Sequence, residues 1–336
     1  MDILKSLTNC RVFSTVSQEE DEAGWLAARS RGIGGSDVGA ICGINPWTTA
    51  RHIYLKKTGQ FIDGVDNFDA ASKDRMHFGH MLEPIVADEF ARRTGKKIAV
   101  SPATLQHKDY PWALANVDRL IVDDEGKPYG VLECKTASEY INEDWKEGDI
   151  PVYYLYQLQW YLWITGLEYG AIACLVGGNK FYYYEVHLNR ELIENEIFPK
   201  AERFWNYNCK ELVAPMIDGS DAATELLNIV NPPSEVEKNS ELFITDDDSY
   251  DDLAATVVEC KAKIKELEKI MMEATNRLKE KMGTNEIAYT SNHTVKWSPR
   301  SQTRLDTTAL KTERPDIFAK YAKKSEFRTF TIKSMA

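Results

Sequence analysis

No C-x-x-C pair occurs in this chain: its six cysteines, Cys10, Cys42, Cys134, Cys174, Cys209 and Cys260, stand singly. That scatter argues against a zinc site, an iron–sulfur cluster and a secreted disulfide framework, and it fits a reducing cytoplasm. No apolar run approaches the roughly 20 residues of a membrane helix, and the opening MDILKSLTNCRVF lacks a signal-peptide pattern. Internal repeats and low-complexity tracts are missing as well. The expectation is a soluble cytoplasmic protein with no membrane partner. What the 336 residues do contain is 43% hydrophobic side chains, with 8 Trp and 16 Tyr, ample for one large domain or a domain with an appendage.

A basic excess is also lacking. The net charge of −11 would discourage a polyanion partner if it were evenly spread, but the deficit is local. Residues 211–252 hold 12 Asp or Glu against one lysine, Lys238, which leaves 40 basic and 40 acidic residues elsewhere. From Gly283 onward ten Lys or Arg face five acids. Composition therefore permits a nucleic-acid partner without demanding one.

Along the chain, residues 17–60 alternate helical stretches with the glycine-rich turn RGIGGSDVGA. FGHMLEPIVADEFARRTG reads as a helix stopped at Gly95, and WALANVDRLIVDD and YGVLECKTA read as strands joined by a turn at Asp124-Glu125-Gly126. VYYLYQLQWYLWITG has helical length and stops at Gly166. GAIACLVGG and KFYYYEVHL form a hairpin through Gly177-Gly178-Asn179, and a further helix ends near Cys209. This gives a first domain over 1–210, an acidic connector over 211–252, a helix over 253–282 and a basic extension over 283–336 with a strand–helix–strand pattern. In the third segment Leu253, Val257, Cys260, Ile264, Leu267, Met271, Ala274 and Leu278 recur at alternating spacings of four and three. Such a heptad seam serves either a helix packed along its own domain or a contact with another copy or partner.

The chemistry centres on GVLECKT, residues 130–136. Residues two apart in a strand share a face, so Glu133 and Lys135 stand together, with Asp118 expected in the neighbouring strand. Val131 and its apolar neighbours are expected to anchor this strand in a core, with Glu133 and Lys135 facing the other way and Cys134 on the packing side. Two carboxylates beside a lysine can bind Mg²⁺ through hard oxygen ligands, activating water and stabilising charge on a phosphoryl oxygen. The carbonyl of Cys134 could add a further oxygen. Taken alone, acid-x-lysine is equally a solvated strand face.

The order of motifs adds to this. Asp118, fourteen residues, then Glu133-x-Lys135 matches the PD-(D/E)xK nuclease signature. With Trp25-x-x-x-Arg29, GIGGSDVGAICG (32–43), FGHMLEP (78–84), NVDRLI (116–121), GVLECKTAS (130–138) and YYLYQLQWYLWITG (153–166), the chain resembles the YqaJ-type phage recombination nucleases, which include lambda exonuclease. The resemblance spans about 20–178, and the tail after 253 resembles an extension found on longer family members.

It implies an α/β (α+β) restriction-endonuclease-like core, a mixed central sheet flanked by helices, here followed by a long helix and a small extension. It implies Mg²⁺-dependent digestion of linear duplex DNA from 5′ ends, with two ions per site and Mn²⁺ as a substitute. Glu83, Asp118, Glu133 and the Cys134 carbonyl would be the ligands. Lys135 would position water, and Gln157 would face the site. Arg29 and Ser36 would hold the 5′-phosphate. A homo-oligomer, with a ring trimer as one form, and a single-strand annealing protein are the implied partners, in a phage or prophage context inside a bacterial cell. Rival readings are a structure-specific endonuclease on the same core and a vestigial DNA-binding or partner-docking module.

Plainer roles stand beside these. Glu83 could be a solvated helix acid next to Pro84, whose presence fits an extended or kinked site, and Gln157 a polar residue on a half-buried helix one turn from Tyr153 and Tyr161. Gly32, Gly34 and Gly35 are expected to let backbone approach a ligand, and Ser36-Asp37 to begin a capped helix whose free N–H groups suit phosphate. Asp37 should then turn its charge away, into the cap. His77 and His80 lack a third soft ligand for Zn²⁺. Trp47 reads more readily as core than as a stacking platform for a DNA end. Arg51, Lys56 and Lys57 are phosphate contacts or a solvated helix face.

Overall fold

The computed structural model describes residues 3–17, 20–60, 70–101, 103–140, 145, 149–237, 240–244 and 248–333. These fall into two compact units, residues 1–230 and 231–336. In chain order the first unit contains β1 (Cys10–Ser14), α1 (Glu22–Ser30), α2 (Gly35–Ile41), α3 (Ala50–Thr58) and α4 (Ala70–Thr94). The strands β2 (Lys97–Val100), β3 (Thr104–His107), β4 (Leu114–Ala115), β5 (Arg119–Val122) and β6 (Pro128–Ala137) follow. Helix α5 (Val152–Thr165) leads to β7 (Tyr169–Val176) and β8 (Lys180–His187). A helical run over residues 190–209, α6, includes two π-helical stretches, and α7 (Asp221–Val230) ends the unit.

The central sheet has the order β2-β5-β6-β7-β8. Every neighbouring pair is antiparallel except β6 and β7, which run parallel and are joined through α5, as parallel pairing requires a crossover. The sheet is therefore mixed. Its inner strands bury apolar residues on both faces because both are covered. Val131, Ile172, Cys174 and Val176 enter the larger core, whereas Leu132, Cys134, Ala171 and Ala173 enter a smaller one. Helix α5 contains no Asp, Glu, Lys or Arg and packs into the larger core through Leu158, Trp160, Leu162 and Ile164. The indole of Trp160 donates to the Leu114 carbonyl at 3.1 Å, so its one polar atom is satisfied inside. On the smaller core's side, Val86, Ala87 and Phe90 of α4 cover the sheet.

This alternation corrects one expectation. Val131, Glu133 and Lys135 are two apart in β6 and share the α5 face, while Leu132 and Cys134 pack on the α4 face. The packing and polar residues are divided along the strand as well as across it. Helix α4 also begins earlier than the motif suggested and runs through Pro84 without becoming extended there.

The glycine turn works differently from expectation too. The N-cap of α2 is Gly34, and Asp37, three residues on, accepts its N–H at 2.9 Å, so Ser36 lies inside the first turn. The glycines admit neighbouring protein. A Cβ on Gly32 would lie 2.4 Å from the Trp112 carbonyl oxygen, and one on Gly35 would lie 2.4 Å from Cε1 of Tyr161.

The acidic stretch from 211 does not act throughout as a connector. Helix α7 buries Ala222, Ala223 and Leu226, with Leu226 in the larger core. Residues 238–239 and 245–247 of that stretch lie outside the described residues. The second unit holds α8 (Asp248–Met282), an antiparallel hairpin of β9 (Ile287–Tyr289) and β10 (Thr294–Lys296), and the short helices α9 (Thr307–Glu313) and α10 (Pro315–Tyr321). The basic extension is thus hairpin then helices, with no closing strand among the described residues. No described helix is long and apolar enough to cross a membrane.

Because Tyr161 is fully enclosed, Gly35→Ala forces overpacking between α2 and α5, at a cost of about 1–3 kcal/mol. Chemical denaturation should show the loss; an unchanged midpoint would mean that the α2–α5 contact is looser than described.

Candidate active site

Pairing between β5 and β6 stops at Arg119 opposite Leu132. Beyond that point β6 continues with no β5 partner, and the Cys134 N–H donates to Oδ2 of Asp118 at 2.8 Å. Asp118 sits one residue ahead of β5, not within it, and its side chain substitutes for the missing strand. The acid is fixed by backbone beside Glu133.

Glu133 is 1% exposed. Its Oε1 accepts from Lys135 Nζ and from Gln157 Nε2, both at 2.6 Å. Gln157 Nε2 also lies 3.1 Å from the Tyr161 hydroxyl oxygen, and Gln157 Oε1 lies 3.4 Å from Lys135 Nζ. Lys135 Nζ sits 4.8 Å from the centre of the Tyr154 ring, a cation–π arrangement. Helix α5 thereby supplies the amide, the phenol and the aromatic face that hold the β6 pair. The other oxygen, Glu133 Oε2, is buried with no hydrogen-bond partner.

Glu83 comes from α4, on the opposite side of the sheet. Its Oε1 accepts from the Arg119 guanidinium at 2.5 Å, and the same nitrogen donates to the Asp118 carbonyl. No group of three or more His, Cys, Asp or Glu placed to hold a metal ion occurs among the described residues. The donors nonetheless suit Mg²⁺. An unpartnered buried carboxylate oxygen is costly unless a cation or donor meets it, and the nearby acids offer hard oxygen. The Cys134 thiol packs on the α4 face, and burial followed by repulsion from Asp118 raises its pKa well above normal. It remains a packing thiol, which leaves its backbone carbonyl as the oxygen that could serve a metal.

Burial, then repulsion from Glu133, raises the Asp118 pKa well above the ordinary carboxylate value. Burial also raises that of Glu133, with Lys135 opposing the shift. For Lys135 burial disfavours the charge, but Glu133 and Asp118 outweigh it and raise its pKa further. Lys135 is accordingly an ammonium at neutral pH.

Arg29 and Ser36 do meet: a guanidinium nitrogen donates to Ser36 Oγ at 2.9 Å. The guanidinium lies 4.4 Å from the Trp25 ring centre, and Lys57 Nζ donates to the Arg29 carbonyl at 2.9 Å. Lys57 also pairs with Asp37 at 2.8 Å and its side chain is almost fully buried, so it is neither a phosphate contact nor part of a solvated face. Burial opposes charge on Asp37, but Lys57, Arg29 and the Gly34 N–H overcome it and lower its pKa. As expected, Asp37 turns into the cap. Trp47 is 66% exposed, against the core assignment, while His77 and His80 are exposed on α4.

The sequence bears no sign of the Arg119 and Tyr154 contacts, and it names Tyr161 and Trp25 without their contacts to Gln157 and Arg29. All lie inside the quoted motifs, and the four-residue spacings Trp25–Arg29 and Gln157–Tyr161 place each pair on one helical face.

A sequence profile of the YqaJ-like viral recombinase domain matches residues 24–168. The uncharacterized protein YqaJ of Bacillus subtilis (strain 168) is 38% identical over 325 residues, covering 96% of each chain. Two solved structures are more distantly similar. An alkaline exonuclease from Laribacter hongkongensis has 19% identity and a TM-score of 0.43, covering 54% of this chain and 90% of its own. A phage related exonuclease from Haemophilus somnus 129PT has 13% identity and a TM-score of 0.37, covering 54% and 96%. At these TM-scores the likeness assigns no detail.

The raised carboxyl pKa values give a test in the metal-free protein. A carboxyl whose folded pKa exceeds its unfolded one stabilises most fully below the unfolded value, and that stabilisation is lost as pH rises through the folded one. In chelator, Asp118→Asn should therefore melt above the wild type at pH 8, with the gap shrinking toward pH 4.5. Mg²⁺ should raise the wild-type Tm at pH 8 but not the variant's. A variant less stable at pH 8 would contradict the assigned electrostatics.

Proposed function

Because the chain belongs to the YqaJ-like viral recombinase family, we propose that it is a Mg²⁺-dependent deoxyribonuclease with a PD-(D/E)XK core. It degrades linear duplex DNA from 5′ ends, leaving 3′ single strands for recombination with a single-strand annealing protein. The observation that carries this reading is the buried Glu133 carboxylate, with one oxygen held by Lys135 and Gln157 and the other unpartnered beside Asp118.

Glu83, Asp118, Glu133 and the Cys134 carbonyl are the residues that would hold Mg²⁺, two ions per site, with Mn²⁺ able to replace it. Bound there, the metal lowers the pKa of water and neutralises charge on the phosphoryl group. Lys135 orients the attacking water and steadies developing negative charge. Gln157 fixes both Glu133 and Lys135, and Tyr161 fixes Gln157. Arg119 pairs with Glu83 and would have to share or release it for Glu83 to serve as a ligand. In the reaction a water oxygen would bond to phosphorus as the opposite phosphorus–oxygen bond to the sugar breaks, the water's proton passing to solvent and the leaving sugar oxygen taking one up from it.

Arg29 and Ser36 form the pocket for the terminal 5′-phosphate. Trp25 backs the guanidinium and Lys57 ties down the Arg29 carbonyl, so the charge is presented by a braced side chain. The neighbouring Asp37 does not repel phosphate, because Lys57 neutralises it.

Linear duplexes should be digested with Mg²⁺ and spared in chelator, and closed circles should survive. Degradation of circles would favour a structure-specific endonuclease, and no activity on any DNA a vestigial module. Lys135→Ala should lower kcat by roughly 10²–10³-fold, as removal of a charge-stabilising donor does; equal digestion would remove its assigned role. Arg29→Ala and Ser36→Ala should slow 5′-phosphorylated ends while leaving 5′-hydroxyl ends unchanged, and an equal effect on both would reject the pocket.

A further inference from the structure

Lys57 lies in the last turn of α3, and its side chain is only 8% exposed; that of its partner Asp37 is 14% exposed. Burying such a pair is a poor route to stability. Desolvating two charges offsets most of their attraction, and neutral residues of similar size often serve as well. Nor does capping α2 need the charge. Asp37 accepts the Gly34 N–H through Oδ2, and the amide oxygen of an asparagine would accept it too. Neither packing nor capping explains why an acid stands here with a lysine to answer it.

Arg29 is beside both. The Lys57 ammonium meets the Asp37 carboxylate at 2.8 Å and the Arg29 carbonyl at 2.9 Å, so one nitrogen reaches the acid and the arginine together. Ser36, whose Oγ accepts from the Arg29 guanidinium at 2.9 Å, directly precedes Asp37 in the chain. Arg29 therefore has two acceptors to choose from, a neutral hydroxyl and an anion one residue further on. A guanidinium binds carboxylate more strongly than hydroxyl, through two parallel hydrogen bonds where geometry permits. Yet Arg29 donates to Ser36, with its guanidinium over the Trp25 ring. What distinguishes the acid is that Lys57 already occupies it.

We infer that Lys57 is a positioning residue that guards Arg29: by pairing with Asp37 it stops that carboxylate from capturing the guanidinium, and so keeps Arg29 at Ser36 for a terminal 5′-phosphate. The inference rests on the 5′-phosphate pocket proposed above and gives Lys57 no contact with DNA. Without Lys57, Asp37 becomes a buried carboxylate whose remaining partner is the Gly34 N–H, and an enclosed anion in that state draws in a cation. Arg29 is the other cation whose field reaches it. Choice of DNA end thereby depends on three helices meeting: α1 brings Arg29, α2 brings Ser36 and Asp37, and α3 brings the lysine that keeps them apart. Losing Lys57 should therefore disable the pocket, and losing Asp37 as well should restore it.

The test uses the full-length chain with Mg²⁺ at pH 8, which favours the ionised acid. It reads the ratio of initial digestion rates on linear duplexes with 5′-phosphate and 5′-hydroxyl ends. Lys57→Met should lower that ratio by roughly 10–100-fold, the worth of one charge-assisted hydrogen bond to phosphate. Asp37→Asn should keep the ratio near the wild-type value, and adding it to Lys57→Met should recover most of the loss. A damaged fold would not be repaired by removing a second charged residue. If Lys57→Met alone does not fold, the double variant, which leaves no unpaired charge in the pair, still decides: a ratio near wild type supports the guarding role, and a collapsed one overturns it. A Lys57→Met ratio equal to wild type, or no recovery in the double variant, overturns it too. Arg29→Ala separates this inference from the pocket it rests on. If that variant loses the ratio and Lys57→Met does not, the guarding role alone falls. If Arg29→Ala keeps the ratio, or the wild type shows no preference, the pocket falls and the inference with it.

Discussion

A carboxylate enclosed in a protein must have its charge met, and the geometry of this molecule's first unit follows from meeting that of Glu133. Lys135 supplies opposite charge from the same strand face, and Gln157 supplies a neutral donor from the helix above. For Gln157 to reach, α5 must lie close on the sheet. That closeness places the Tyr161 ring where Gly35 has no side chain to obstruct it. A polar demand at one strand residue thus specifies a helix position, a tyrosine and a glycine. The one oxygen left without a partner, Glu133 Oε2, is where the enclosure remains incomplete.

The site also joins the two sides of the sheet. Glu133 and Lys135 face α5, while Glu83 arrives from α4 and is held by Arg119. The two sides meet because the β5–β6 ladder ends between them, and Asp118 captures the next free N–H of β6. If the ladder continued for two more residues, ordinary strand hydrogen bonds would occupy the space now filled by a carboxylate. Arg119 pairs with Glu83 across that gap.

Much of this was legible in the sequence because it depends on short-range rules. Two-residue alternation puts Glu133 beside Lys135, and the apolar length of α5 and its stop at Gly166 define a helix without tertiary information. The same rule, applied consistently, also puts Val131 on the Glu133 face, so that misplacement was avoidable. Other features depend on contacts across long sequence separations. Nothing local says that Lys57 turns inward to Asp37, that Arg119 engages Glu83, or that Leu226 in an acidic stretch folds back into the core. Trp47 shows the reverse limit: aromatic character suggested burial, but the residue stays 66% exposed. The heptad pattern of α8 was plain, and the helix spans it whole.

The parallel pairing of β6 with β7 has a further consequence, in the order of synthesis. Residues 118–135 leave the ribosome before the helix and strand that enclose them. The covering helix comes next, and β7 follows at 169–176 to occupy the far edge of β6. Parallel neighbours cannot form from a local hairpin, so the β5–β6 pairing that sets Asp118 beside Glu133 lacks its other neighbour until that later stretch has emerged and crossed over. A nascent or truncated chain ending before β7 therefore lacks an assembled site. Chain connectivity alone delays closure of the site until β7 is in place.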